Sequence, residues 1–346
     1  MNRNLLLAFL LATALLCACS PKSPVTLTVM THDSFSASES VIISFEQANN
    51  VKVVFLKSGD AGAALNKAIL SKETPLADVF YGVDNTFLSR ALDAEIYEPY
   101  ASPLLAKISA EFQLDPEKRA LPVDYGDICI NYDKAYFAAH NLPVPASLED
   151  LLKPEYNSLL VVENPATSSP GLGFLLATVK HFGPDGYLDY WRSLRANGVA
   201  VVDGWETAYY TNFSASSGHG PQPLVVSYSS SPAAEVIYAT APLTDAPTAS
   251  ILGPDTCFRQ IEFVGILKGT RHLDLAQKFI DFMLGQQFQE DIPLQMFMVP
   301  VNTDASLPKE FIQYAQNATQ PATLDPTMIA ANRDKWIADW TAVVFH

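Results

Sequence analysis

A chain of 346 residues that is 49% hydrophobic and 17% charged holds enough apolar material for a substantial core, which argues against bulk disorder and points to two domains. Its 37 acidic against 22 basic side chains give a formal net charge of -15, so most of its surface repels polyanions; a nucleic-acid partner is not expected, and a cationic ligand is tolerated or attracted.

The chain starts with Met-Asn-Arg-Asn and then "LLLAFLLATALLCAC". A positive start before an apolar run of roughly 12 to 15 residues, short for a bilayer span, reads as an export signal over residues 1–18. The run ends in "LCACS", which resembles the lipobox of bacterial lipoproteins. Cys19 is the cysteine placed to receive the lipid; Cys17 fits poorly, because Leu16 stands where a small residue is needed immediately upstream. Cys17 itself departs from the Ala, Ser or Thr commoner at its place in the box, and signal cleavage without lipid is the alternative. No other stretch is long and apolar enough for a span, so the mature protein is expected in the periplasm or at the cell surface, held to the membrane only through that lipid.

From residue 25 strand-like and helix-like segments alternate: "VTLTVM", "SVIISFEQAN", "VKVVFL", "AGAALNKAILSKE", "ADVFYG" and "NTFLSRALDA". Apolar strands between amphipathic helices predict a mostly parallel sheet covered on both faces. After the strand-like "LPVDYGDICINYD", Ser147 and Asp150 are read as opening a helix "LEDLLKP". The strand "SLLVVEN" precedes a helix "GLGFLLATVKHFG", and "YLDYWRSLRANG", "VAVVDG", "WETAYYTNF", "PLVVSYS" and "PAAEVIYA" continue the alternation. A strand-rich "CFRQIEFVGILKG", the amphipathic "HLDLAQKFIDFML" and a helical tail "TMIAANRDKWIADWTAVV" complete the chain. No linker separates two halves, so the reading is an α/β fold of two lobes joined by ordered hinge strands, with lobe 1 formed by residues 25–123 plus 262–346 and lobe 2 by 124–261.

In an exported protein Cys129 and Cys257 either pair or stay as two buried thiols, and the sequence leaves both open. No His/Cys cluster has metal-ligand spacing, so no metal site is expected. None of the six histidines sits in an informative motif, G-x-S-x-G is absent, and "KSGDAGAALN" lacks the lysine of a phosphate loop. Asp84 and Asp124 suit acid/base work only if brought together, and a hydrogen-bonded role is the commoner fate of an unplaced Asp. Open α/β sheets bind ligands beyond the carboxyl ends of their strands. Trp205, Tyr209 and Tyr228 follow strands there, and aromatic faces hold flat heterocycles and cations.

The succession "THDSF", "GVDN", "PVDYG", "NPATSSPGLG", "DGWETAYY", "VVSYSSSP", "AQKFIDFML" and "FMVPV" resembles the thiamine-binding proteins that serve bacterial ABC importers, a branch of the type II periplasmic binding proteins. The resemblance covers nearly the whole mature chain and implies a two-lobe periplasmic-binding-protein type II fold that closes on thiamine or thiamine phosphates as a monomer, delivers them to an ABC transporter permease, uses no cofactor and performs no chemistry. It implies Trp205 and Tyr228 as stacking rings, and Ser168 or Ser169 with the following amides as donors to the hydroxyethyl or phosphate end. His32 stands where the family often has Tyr, the Gly59–Gly62 turn, with Asp60, lies near the phosphate end, Asp33 and Asp84 are candidates for the ligand's cationic or amino groups, and Ser34 is a further ligand-binding candidate. Phe297 stands where Trp is common, and Ala234 replaces the family's second tyrosine; Tyr209 or Tyr238 would have to restore the stacking.

Two receptors of the same fold compete with this reading. Tyr209-Tyr210 in "AYYTN" suits ferric ion, although neighbours on a helix face different ways, and the acidic balance suits polyamines. A thiamine-cleaving enzyme on the same scaffold would need a cysteine nucleophile, and Cys129 and Cys257 have no activating base in view.

Overall fold

In the computed structural model, residues 24–345 are described; the export signal and Cys19 lie outside them. The first lobe alternates as the apolar periodicity predicts: β1 (Val25–Thr31), α1 (Glu39–Asn49), β2 (Val51–Lys57), α2 (Ala61–Leu70), β3 (Val79–Asp84) and α3 (Leu88–Asp93). β1 pairs in parallel with both β2 and β3. All of β3 is buried, as expected of a strand covered on both faces. Helix α1 ends at Asn50, whose left-handed φ of 48° turns the chain straight into β2.

The short β4 (Tyr97–Glu98) precedes β5 (Leu121–Asp133), a strand of 13 residues. The Asp133 carboxylate then accepts the N–H groups of Ala135 and Tyr136 and so starts α4 (Lys134–Ala139). The helix expected over "LEDLLKP" is instead two short 3-10 turns, Glu149–Leu152 and Pro154–Tyr156. The cap is present: the Asp150 N–H donates to Ser147 Oγ at 3.3 Å, and the Asp150 carboxylate accepts the Ala146 N–H at 2.8 Å. Pro154 stops the helix, because it forces Lys153 to extended backbone (ψ 145°) and supplies no N–H.

The second lobe contains β6 (Leu160–Glu163), α5 (Ser169–Ala196), β7 (Ala200–Val202), α6 (Trp205–Thr207), α7 (Ser214–Ser217), β8 (Leu224–Tyr228) and α8 (Ser231–Ile237). The two helices read in sequence from 171 to 198 run together as α5, kinked at Gly183 (φ 74°) and Pro184. β6 pairs in parallel with β7 and β8.

β9 (Thr248–Ile251) adds to β5, and β10 (Phe258–Leu267) lies antiparallel to both β3 and β5. Since β5 is also antiparallel to β8, the sheet order is β2-β1-β3-β10-β5-β8-β6-β7: two parallel groups joined through a pair of long antiparallel strands. A disulfide joins Cys129 of β5 to Cys257, the residue before β10, in a fully buried setting, which resolves the open question in favour of pairing.

The remaining elements are α9 (Leu273–Leu284), α10 (Gln286–Gln295), β11 (Val299–Pro300), α11 (Lys309–Tyr314) and α12 (Pro326–Phe345). Helix α9 buries Ala276, Phe279, Ile280, Met283 and Leu284 on one face, the pattern its spacing predicts. Helix α12 packs Trp340 edge-on against Trp191 of α5, 5.4 Å between ring centres, while its Arg333 donates to the Thr86 carbonyl and to Ser89 Oγ in the first lobe. No helix among the described residues is long and apolar enough to cross a membrane.

Candidate functional site

The loops beyond the carboxyl ends of the strands converge on a cavity of about 450 Å³ between the lobes. One wall is aromatic. Trp205 follows β7, its indole N–H donates to Ser227 Oγ at 2.8 Å, and its ring stacks on Tyr209 with centres 5.0 Å apart and planes at 18°. The edge of Tyr210 meets Trp205 at 5.4 Å, and Tyr228 stands 6.4 Å away, tilted, with its hydroxyl donating to Gln260 at 3.0 Å. Residues 208–212 form a π-helical turn, and both Tyr209 and Tyr210 border the cavity, but they face different ways as neighbours do: Tyr209 is buried, Tyr210 is half exposed, and their ring planes stand at 87°.

Burial, with Glu235 accepting its hydroxyl at 2.7 Å, pushes Tyr209 well above the ordinary phenol range. Burial and the carboxylates of Glu235 and Glu206 push Tyr210 up to about 12, so both rings stay neutral phenols at neutral pH. Phe297 reaches the rim from a left-handed backbone (φ 60°), unusual for a bulky residue, and meets Tyr238 edge-on at 5.3 Å.

The floor is ionisable. His32 Nε2 lies 3.4 Å from Glu262 Oε1, and Gly82 faces the His32 ring, where a side chain would collide with it. The Tyr81 hydroxyl is held between Asp124 Oδ2 at 2.7 Å and Glu262 Oε2 at 3.0 Å. Burial opposes the charge on His32, but Glu262, Asp60 and Asp33 outweigh it and raise its pKa. Burial works against the Glu262 carboxylate too, yet His32 and the donors around it hold it below its usual range. Burial and the charge of Glu262 instead drive Asp124 well above the carboxylate range. The cluster is thus biased in opposite directions: Asp124 toward its protonated form, and His32 with Glu262 toward an imidazolium–carboxylate pair facing the cavity.

Asp60 caps α2: its Oδ1 accepts the Ala61 N–H at 2.9 Å, and its Oδ2 accepts the Trp205 N–H of the second lobe at 3.3 Å. Burial raises its pKa against the pull of these donors and of Ser168. Ser169, the first residue of α5, borders the cavity but donates its hydroxyl to Asp84. Burial lifts Asp84 to about 6, against the opposing pull of Ser169 and Thr86.

Of the residues proposed from sequence, His32, Ser34, Asp60, Ser169, Trp205, Tyr209, Tyr228 and Phe297 border the cavity. Asp33, Asp84 and Ser168 do not. Asp33 accepts the Gly59 N–H at 2.8 Å and ties two loops together, Asp84 is fully buried beneath Ser169 and Thr86, and Ser168 is buried beside Asp60. Glu262, Gln260, Glu235 and Ser231 were missed by the sequence reading. A signal existed for two of them: in "CFRQIEFVG" Gln260 and Glu262 alternate with Ile261 and Phe263, so both polar side chains share one face of β10. No cluster of His, Cys, Asp and Glu suited to a metal ion occurs among the described residues.

Comparison with known proteins gives a consistent picture. Residues 74–319 match the family model described as bacterial extracellular solute-binding protein. The chain is 31% identical over 343 residues to a thiamine-binding periplasmic protein of Salmonella typhimurium, covering 95% of this chain and 97% of that one. It is 29% identical over 346 residues to a protein of the same name from Brucella suis, covering 97% of each. Among solved structures, a periplasmic thiamin binding protein superposes with a TM-score of 0.82 at 28% identity, over 94% of this chain and 98% of its own. A ferric binding protein from Campylobacter jejuni shares the fold at a TM-score of 0.74 and 18% identity, over 92% of this chain and 99% of its own. The two parallel groups, the antiparallel strands between them and the cavity at their junction accord with these matches, and the chain belongs to the bacterial extracellular solute-binding proteins, with the type II periplasmic-binding-protein fold.

Proposed function

We propose that this protein is an extracytoplasmic receptor that captures thiamine, or one of its phosphate esters, and delivers it to the permease of an ABC importer. The observation that carries the reading is the pairing of an aromatic wall, Trp205 with Tyr209 and Tyr228, and a carboxylate-rich floor in one cavity of about 450 Å³. Thiamine joins two flat rings, one of them cationic; the rings suit stacking, and the positive charge suits Glu262 and Asp60. The relatives bearing the name of thiamine-binding periplasmic proteins support the same ligand.

In this reading Trp205 and Tyr228 contact the aminopyrimidine, Tyr209 and Phe297 close the aromatic side, and His32, Ser34, Asp60 and Ser169 complete the polar lining. Asp33, Asp84 and Ser168 act from behind, by fixing the loops. The lobes close over the ligand and present a new surface to the permease, while a lipid at Cys19 keeps the monomeric receptor at the membrane. No bond is made or broken: Cys129 and Cys257 share a buried disulfide, so neither offers a thiolate. The ferric alternative rests on a likeness to ferric binding proteins at 18% identity, which carries the fold alone, and the Tyr209 hydroxyl is already engaged with Glu235 at 2.7 Å.

Calorimetric titration with thiamine, spermidine and ferric citrate tests the proposal. Saturable one-site heat with thiamine is expected, and its absence overturns the reading.

A further inference from the structure

A carboxamide carries two N–H donors and one acceptor oxygen, and a buried one is expected to use both sides. Gln260 of β10 is 1% exposed and borders the cavity. Its Oε1 accepts the Tyr228 hydroxyl at 3.0 Å. Burial holds Tyr228 well above the ordinary phenol range, so the phenol keeps the hydrogen it gives. That bond fixes the carboxamide, and its buried Nε2 has no hydrogen-bond partner among the described residues. Two donors are therefore left for whatever fills the cavity.

Sheet geometry puts these donors beside the aromatic wall. Gln260 is paired with Gly126 of β5, and a Cβ at Gly126 would come within 3.2 Å of Tyr228 Cδ1, so the glycine lets the Tyr228 ring lie close to the strand pair. The backbone of Tyr228 is held in turn: its carbonyl accepts from Asn131 Nδ2 at 3.0 Å, and its N–H donates to Ser231 Oγ at 3.3 Å. Two residues beyond Gln260, Glu262 leaves β10 on the same face, about 6.5 Å along the strand. A neutral donor and a carboxylate at that spacing suit two rings joined by a single carbon, one uncharged and one cationic.

We infer that Gln260 is a specificity-determining residue, whose carboxamide N–H donates to a ring nitrogen of the aminopyrimidine while Tyr228 covers the face of that ring. This rests on the thiamine-receptor reading above and deepens it. A ring without the nitrogen that faces Gln260 would leave a buried donor unpaired, which is how a site rejects a ligand of nearly the same shape. Glu262 and Asp60 then recognise the positive charge, and Gln260 recognises the edge of the uncharged ring.

The experiment is a calorimetric titration of the full mature protein with thiamine and with its two pyridine analogues, in each of which one pyrimidine nitrogen is replaced by C–H. It is repeated on Gln260→Met, which keeps the length of the side chain and removes its donors, with a thermal melt as the folding control. One analogue should bind the unaltered protein about tenfold or more weakly than thiamine. Gln260→Met should weaken thiamine binding by a similar factor and shrink the gap to that analogue to about twofold or less. If the variant weakens thiamine and analogue alike and the gap stays, Gln260 only steadies Tyr228 and the inference is overturned. Equal affinities for thiamine and both analogues in the unaltered protein overturn it too, while leaving the thiamine receptor standing. If Gln260→Met fails to fold, Gln260→Asn, which draws the amide back by one carbon, takes its place under the same criteria. Absence of thiamine binding to the unaltered protein overturns the receptor reading and the inference with it.

Discussion

The carboxylate of Asp60 accepts the backbone N–H of Trp205 at 3.3 Å across a sequence separation of 145 residues, so the cap of one helix in the first lobe also holds the start of a helix in the second. A second backbone link, from the Gly62 N–H to the Thr167 carbonyl at 3.1 Å, lies beside it. Gly62 permits this approach because a methyl group there would come within 2.8 Å of the Ala166 carbonyl oxygen. The lobes therefore meet here through one carboxylate-to-backbone bond and one backbone-to-backbone bond, and Asp60 and Trp205 both border the cavity. Asp60→Ala removes both the cap and the bridge and should destabilise the protein by about 0.5–2 kcal/mol, with Asp60→Asn nearer neutral, as read from thermal or denaturant melts.

Trp205 anchors the aromatic wall twice, through its stack on Tyr209 and through its N–H on Ser227. Trp205→Ala should weaken thiamine binding by about tenfold or more, equivalent to roughly 1.4 kcal/mol, with Trp205→Phe retaining part of the stacking but not the hydrogen bond. Calorimetry measures the affinity, and near-ultraviolet circular dichroism reports whether Tyr209 has lost its partner.

Asp84 makes stability depend on pH in a defined direction. Burial, partly offset by Ser169 and Thr86, lifts its pKa to about 6, above the unfolded value near 3.8. The folded state therefore holds this proton more tightly, and the resulting stabilisation is complete below about pH 4 and lost as pH rises through about 6. Relative to Asp84→Asn, the unaltered protein should lose up to about 3 kcal/mol across that window. Equal pH profiles for the two proteins in denaturant melts would show that Asp84 carries no such shift.

The Cys129–Cys257 disulfide closes a loop of 128 residues that takes in β6 to β9, most of the second lobe. Reduction, or replacement of both cysteines by serine, should lower stability by about 2–5 kcal/mol, because the unfolded chain regains the freedom the crosslink removes. Melts with and without reductant measure this; indifference to reductant in the folded baseline is expected, given the burial of both residues.

The sequence made the lobes legible because each parallel strand is a short apolar run followed by a polar loop. Trp205 and Tyr228 could be picked out for the same reason: Trp205 starts the helix just beyond β7 and Tyr228 ends β8, so each aromatic ring has a cavity at the strand ends within reach. Glu262 escaped because it lies within a strand rather than after one, and its partner His32 is 230 residues away. Asp84 was drawn into the ligand set by its place at the end of β3, but its partner, Ser169, arrives from the other lobe and covers it. The Ser147–Asp150 contact read from sequence is present, but the turn that follows is capped at Leu148, and Pro154, seven residues on from Ser147, set the shorter 3-10 geometry. In each case the missing knowledge was which distant segment lies against the residue.

Helix α12 holds Trp191 in one lobe through Trp340 and reaches Thr86 and Ser89 in the other through Arg333. The two lobes thus share a clasp as well as their strands. A swing that parts them has to bend this clasp or release one of its ends, and both are buried: Trp191 and Trp340 at the indole end, Arg333 at the other. Arg333 also lies over the Phe87 ring at 5.8 Å, so its end of the clasp combines polar contacts to Thr86 and Ser89 with an aromatic one.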